Sequence, residues 1–458
     1  MAVAMARSFE YKIKQPWELR SREEIRDLQW KKLEKQIDYN YSRSPFYREL
    51  MDGAGIKPQD VRSWEDFQQI PTWNKDVQRQ IQTKGAEEYG DPFYYVGCAG
   101  RDKFLRFSST SGTTGVPTLY TLTKSDIAVM NELFARKFKI IGLKPGDIVA
   151  HGKSLSMFTG GVPAVMALID YGVGVVPVGA DAGSRRLLEY TRLAKANVLW
   201  CTPSLSEYMI ERCPELLGIP AKDLGIEIII GGGEQGPGIP SLKERIETSY
   251  GARLFDNIGS SHPFHGVSCP DGVYRGMHWV SEDYCILELL DLETKKPIPL
   301  TDGAIGEKVF TYLDWEGTPL MRYALGDVFQ IFSEPCPCGV NSPRFKIIGR
   351  ADDMLIVKGV NIYPSAIKNS LVNFAPAVTG YFKIVLDAPG PRVTPPLCLE
   401  VEHGPDCCSA DLPGLAEKIV KTMKDAHRVS PKITWLPPNS IERSSHKQKV
   451  IEIRKPGQ

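Results

Sequence analysis

Four short aliphatic runs, at residues 148–150, 173–178, 198–201 and 226–230, each stop close to a glycine or proline and are separated by stretches of helical character. A strand that is apolar on both faces has to be covered on both faces, which is the habit of parallel sheets whose connections are helices. The pattern therefore predicts an α/β unit over residues 104–260, with ligand-carrying loops at the C-terminal ends of its strands. Upstream, residues 18–90 read as helices: Ser21-Arg-Glu-Glu24 has the form of a capping box, and Trp30, Leu33 and Ile37 recur at helical spacing. Downstream, residues 266–350 turn to strand-like segments with turn signals at Pro270-Asp271-Gly272 and Thr301-Asp302-Gly303, and a mixed α+β segment follows Gly349. The expected fold class is α/β, with a large domain over 1–349 made of α/β sheets plus a β-rich subdomain, and a small α+β domain over 350–458.

Charge narrows the partners. Lys plus Arg number 56 and Asp plus Glu 55, for a formal net charge of +1. No long-range field then favours nucleic acid or an acidic membrane, and any bound anion must be held locally. The apolar stretch at 162–179 contains glycines, prolines and an Asp, so no membrane insertion is expected. The first residues carry Arg7, Glu10, Lys12 and Lys14 without an apolar run, and the cysteines are scattered; both point to reduced thiols in a cytoplasmic location.

Three segments stand out chemically. Ser108-Ser-Thr-Ser-Gly-Thr-Thr-Gly-Val-Pro-Thr118 is rich in hydroxyls and carries two glycines, a composition that lets backbone and side-chain donors approach a phosphate. It lacks the Gly-Lys-Ser/Thr of a Walker A loop, and a surface linker has a similar composition. Ile348-Gly-Arg-Ala-Asp-Asp-Met-Leu-Ile-Val-Lys-Gly-Val-Asn-Ile-Tyr-Pro364 sets an Arg-x-Asp-Asp turn before an apolar strand and a glycine turn, which a charged surface turn would also do. In Arg322-Tyr-Ala-Leu-Gly-Asp327, the Asp is suited to accept from vicinal ribose hydroxyls, and equally to cap a turn.

Taken in order along the chain, these segments resemble the adenylate-forming superfamily of acyl-CoA synthetases, adenylation domains and luciferases. Ser42-Arg-Ser-Pro-Phe-Tyr47, Ile70-Pro-Thr-Trp-Asn-Lys75, Met157-Phe-Thr-Gly-Gly161, Cys201-Thr-Pro-Ser204, Gly231-Gly-Gly-Glu234 and Arg443-Ser-Ser-His-Lys447 are similar to its phenylacetate-CoA ligase-like branch. The resemblance implies ATP, Mg²⁺ and CoA as cofactors and a small, aromatic carboxylic acid as substrate. ATP phosphates would be held by Ser108, Ser111, Gly112, Thr113, Thr114 and Gly115. Gly233, Glu234, Asp256, Asn257, Ile258, Gly259 and Ser260 would flank the adenine and the reacting carboxylate. Asp327 would bind the ribose, with Arg350 beside it. Asp352 matches the hinge about which the small C-terminal domain moves, and Lys447 the lysine that bridges the substrate carboxylate and the α-phosphate. Met157, Phe158, Gly160, Gly231 and Gly232 would line the acyl pocket, with His262 and His265 near its mouth.

Lys447 suits this chemistry, because two anions must meet and positive charge at the transferring phosphoryl group dominates the barrier. The sequence also departs from the family. Its Tyr-Gly-x-Ser/Thr-Glu segment reads Ile258-Gly-Ser-Ser-His262 here, and an imidazole is a poor ligand for Mg²⁺. ATP oxygens and water, or Glu234, would then hold the ion; a nucleotide-binding pseudo-enzyme, or an adenylating enzyme that serves an amine or a carrier-protein thiol, are the alternatives. His446 stands where the family has glycine, and Lys368 where it has glutamate. Finally, Cys269, His278, Cys336 and Cys338 offer three thiolates and an imidazole for a structural Zn²⁺, against a reading as ordinary core and surface residues.

Overall fold

The computed structural model describes residues 20–109, 117–234, 236–259, 263–271, 273–442 and 450–454. The expected parallel strands form: Gly174–Val176, Ile148–His151, Val198–Cys201, Ile228–Gly231 and Arg253–Gly259 lie side by side in that order, each parallel to the next. Helices Val162–Tyr171, Ser184–Leu193, Pro203–Leu217 and Pro240–Tyr250 connect them. Val198–Cys201 and Ile228–Gly231 are buried at every position, as strands covered on both faces must be.

At Arg253–Gly259 the sheet changes character. Its next neighbour, His265–Val267, is antiparallel, and the sheet continues through Met277–Trp279, Arg344–Arg350, Tyr323–Phe332, Ile305–Tyr312 and Cys285–Leu290. The expected β-rich subdomain is thus continuous with the parallel sheet rather than a separate layer beside it. Past Arg350 the chain builds a smaller unit with its own core, in which Leu355, Ile367, Leu371, Ile384, Leu399, Ile419 and Met423 are buried together. Its four-stranded sheet runs Lys432–Leu436, Cys398–His403, Val378–Leu386, Ile451–Ile453.

The N-terminal helix Arg22–Arg43 starts at the expected capping box: Ser21 Oγ accepts from Glu24 N (3.1 Å) and Glu24 Oε2 from Ser21 N (2.7 Å). Arg22 pairs with the buried Glu282, and Gln29 Nε2 donates to Glu282 O (2.7 Å), which ties this helix to the antiparallel half. Next to it, Arg136 on helix Lys124–Ile141 makes a two-pronged ion pair with Asp283 (2.7 and 2.9 Å) and donates to Val280 O (2.9 Å). Breaking a buried pair by removing one partner leaves an uncompensated charge and costs about 3–5 kcal/mol. Arg136→Met should therefore lower the melting temperature by several degrees in a thermal unfolding scan, whereas Arg185→Met, at an exposed pair with Glu189, should leave it unchanged.

Candidate active site

The site forms at the C-terminal ends of the parallel strands, where the sheet changes direction. Strand Ile228–Gly231 runs into the loop at Gly232, whose backbone lies so close to the neighbouring strand that a Cβ would fall 2.2 Å from Asn257 O. Gly233 has φ +93°, a conformation open to glycine. Glu234 Oε1 then accepts from Ser204 N (2.6 Å), at the start of helix Pro203–Leu217. One of its oxygens is therefore committed to that helix terminus, where a carboxylate is stabilised by the unpaired N–H groups. On the adjacent strand, Asp256 accepts from Tyr274 OH (2.7 Å), and burial pushes its carboxyl up to about 6. Asn257 Oδ1 accepts from Lys137 Nζ (2.9 Å), Ile258 is half-buried, and Gly259 ends the strand with an exposed backbone.

Ser108 is buried on strand Arg106–Ser109, which pairs antiparallel with Leu119–Leu122 and so flanks the hydroxyl-rich segment. Its exit is fixed from helix Lys75–Tyr89: Gln82 Nε2 donates to Pro117 O (3.0 Å) and its Oε1 accepts from Leu119 N (2.9 Å). Ser111, Gly112, Thr113, Thr114, Gly115, Ser260, His262 and Lys447 lie outside the described residues.

Across the sheet, Asp327 sits opposite Arg350 in register, and Arg350 Nη1 donates to its Oδ1 (3.2 Å). The other oxygen faces Lys308 Nζ (3.2 Å), a lysine with 1% exposure whose ammonium lies 4.7–5.2 Å from the ring centres of Phe264, Phe329 and Phe310. Three aromatic faces and one carboxylate replace the water this cation has lost. Arg350 also makes two bonds to Asp352 (2.8 and 2.7 Å), so the guanidinium spans the two carboxylates. Gly326, φ +83°, leaves room for it, since a Cβ there would meet Arg350 Nη2 at 3.2 Å.

Among the acyl-pocket candidates, Gly231 packs against Pro237 and Leu254 and Gly232 against Asn257, Met157 is exposed, Phe158 is half-buried, and His151 Nε2 donates to Gly160 O (2.8 Å). His265, expected near the pocket mouth, is instead fully buried in its strand, with its ring 5.1 Å from that of Phe134. It packs under Gly259, whose Cβ would lie 3.4 Å from its Cε1, and so belongs to the floor.

Cys269, His278, Cys336 and Cys338 converge, their ligand atoms all within 4.8 Å of one another. Cys269 Sγ is 3.6 Å from Cys336 Sγ and Cys338 Sγ 3.2 Å from His278 Nε2; His278 Nδ1 faces Ser342 Oγ (3.4 Å). These separations suit the edges of a tetrahedral sulfur–nitrogen site with a hydrogen-bonded outer partner on the imidazole.

With the geometry in place, comparison identifies the family. The chain is 32% identical over 451 residues to a phenylacetate-coenzyme A ligase of Thermus thermophilus, covering 95% of this chain and 98% of that one. The chain belongs to the phenylacetate-CoA ligase-like branch of the adenylate-forming superfamily. A second relative, a phenylacetate-coenzyme A ligase of Aromatoleum evansii, is 29% identical over 453 residues, covering 96% and 97%. Residues 359–454 match the AMP-binding enzyme C-terminal domain. Among solved structures, 2-hydroxyisobutyryl-CoA ligase in the postadenylation state with 2-HIB-AMP superposes with a TM-score of 0.84 at 25% identity, covering 95% of this chain and 90% of that one. The same ligase in its thioesterification state, with 2-HIB-AMP and CoA, gives 0.67 at 26% identity, covering 98% and 95%. The enzyme is accordingly an adenylate-forming ligase: it activates a carboxylic acid with ATP as the acyl-adenylate and transfers the acyl group to CoA.

Lys308 and Gln82 had no signal in the sequence, Lys308 because a lysine on an alternating strand reads as a solvated face. Replacing Lys308 with Met keeps the volume but removes the lysine's charge from Asp327 while Arg350 remains. Lys308→Met should raise the KM for ATP about 10-fold, in line with the loss of one charge-assisted contact, with a smaller change in the KM for the acid. Equal changes in both would show that the lysine supports the fold as a whole.

Proposed function

We propose that the acid is aromatic and that it lies along the glycine wall formed by Gly231, Gly232 and Gly233. The observation that carries this reading is the backbone approach at Gly232: held tightly against Asn257, this strand end is a flat, rigid surface, the kind against which a flat ring packs. The phenylacetate-CoA ligases among its relatives favour the same class.

In this reading ATP binds with Mg²⁺, its phosphates on the segment containing Ser111, Thr113 and Thr114 and its ribose on Asp327. One carboxylate oxygen of the acid attacks the α-phosphorus and pyrophosphate leaves, with Lys447 supplying positive charge where the two anions meet. The CoA thiol then takes the acyl group and AMP departs, after the small domain turns about Asp352. Since Glu234 already accepts from Ser204 N, the Mg²⁺ ligands are best sought among ATP oxygens and water. His262 would then be free to serve the acid rather than the metal. The Cys269, His278, Cys336 and Cys338 cluster fits a resident Zn²⁺ whose four positions are filled by protein, so its contribution would be structural. It would clip the 333–343 loop to the strands around His278, and thereby steady the strands that carry Asp327 and Arg350. No disulfide joins the cysteines, and no helix among the described residues is long and apolar enough to cross a membrane.

The test is pyrophosphate release over a panel of aromatic and aliphatic acids, followed by thioester detection with CoA. Aromatic acids should be preferred; turnover with aliphatic acids alone would overturn the reading. Lys447→Ala should abolish pyrophosphate release yet retain thioester formation from supplied acyl-adenylate. Zinc should co-purify at about one per chain, and Cys338→Ser should lower both metal content and melting temperature; metal-free protein with full stability would remove the zinc assignment.

A further inference from the structure

Two lysines occupy the acyl end of the site, and neither belongs to the reaction described above. Lys153 follows directly on strand Ile148–His151, at the same strand end as the glycine wall. It is half-buried, and its Nζ donates to Gly232 O. A Cβ on Gly233 would lie 3.0 Å from that ammonium, and one on Gly160 would lie 4.0 Å away. Both neighbours are glycines, so neither places a side chain beside the charge. Lys137 lies one layer deeper on helix Lys124–Ile141, with 1% exposure. Its Nζ donates to Asn257 Oδ1 (2.9 Å) and Ile258 O (3.4 Å), and sits 3.2 Å from the Cβ position of Gly259.

Among the described residues no carboxylate forms an ion pair with either lysine. The acids whose fields reach Lys153 are Glu234 and Asp256, and both have other engagements: Glu234 with Ser204 N, Asp256 with Tyr274 OH. Burial lowers Lys153 to about 8 and pulls Lys137 well below its ordinary range, where the charge of Lys153 depresses it further. The same charge, after burial, contributes to lowering the neighbouring His151 to about 4. Buried cations are normally matched by an acid of the protein, because an unmatched one costs far more than a neutral hydrogen bond returns. Here the described residues supply neutral acceptors and two glycines beside the ammonium. The missing anion is then expected from the ligand.

We propose that the acid this enzyme activates carries a second anionic group, a ring carboxylate, which binds Lys153 directly. The inference rests on the aromatic reading of the acid for its scaffold. The two carboxylates have different fates: one attacks phosphorus near Lys447, and the other remains as a salt-bridged anchor at the glycine wall. Lys153 is in this scheme a specificity-determining residue, discriminating by the charge it would leave unmatched when a monoacid binds.

The experiment compares matched pairs of acids in pyrophosphate release: benzoate against its three ring-carboxylated forms, phenylacetate against carboxyphenylacetates, and an aliphatic monoacid against the corresponding diacid. Wild-type enzyme should show kcat/KM about 10-fold or more higher for at least one diacid than for its parent, the size expected of one charge-assisted pair. In Lys153→Met that ratio should fall about 10-fold or more, through KM rather than kcat, and Lys153→Arg should restore part of it. A wild type that prefers every monoacid over its diacid overturns the proposal without any variant. So does a Lys153→Met that lowers mono- and diacids alike. If only aliphatic acids react, the aromatic reading fails, while the aliphatic pair still decides whether a second carboxylate is favoured.

Discussion

The close backbone approach at Gly232 is the constraint around which the site is arranged. A strand entering a loop normally moves away from its neighbour, but here the chain stays within contact of Asn257, where even a methyl group would collide with the carbonyl. That contact keeps the loop after Ile228–Gly231 pressed on the strand Arg253–Gly259. The strand is also the place where the sheet passes from parallel to antiparallel pairing. A change of pairing direction leaves a crevice at the strand ends that neither half can fill. The glycine shelf, the Asp256–Tyr274 pair and the two deep lysines all gather at these strand ends.

How much of this could be read from the chain depended on whether a residue's role is local. Buried parallel strands announce themselves because burial on both faces forces aliphatic runs, and the capping box at Ser21 because its geometry is written within four residues. Motif order carried the family. The expectations that turned out differently concern long-range packing. The β-rich segment joins the main sheet, since edge strands of both halves can hydrogen-bond to each other and nothing in local sequence forbids it. His265 is enclosed because its strand is covered at all three positions, which so short a segment cannot reveal. Lys137 and Lys308 look like solvated helix and strand lysines, and only the tertiary fold shows each enclosed.

Buried charge recurs through the molecule in two styles. Arg136 with Asp283, Arg22 with Glu282 and Arg322 with Glu288 are matched within the protein, and join helices and loops to the antiparallel half. Lys308 is matched by one acid and three aromatic faces. Lys153 and Lys137 stand apart from both styles, meeting only backbone and amide oxygens among the described residues. The contrast gives the acyl end of the crevice a polarity unlike that of the surrounding core.

Arg350 is shared. Its guanidinium bonds Asp327 on the large sheet and Asp352 just beyond the last strand of that sheet, where the chain passes into the smaller unit. Any swing of the chain at residue 352 must first detach one carboxylate from a cation that keeps the other. In such a swing the arginine would act as a latch with one side fastened: the contact left behind would preserve the register to which the small unit returns.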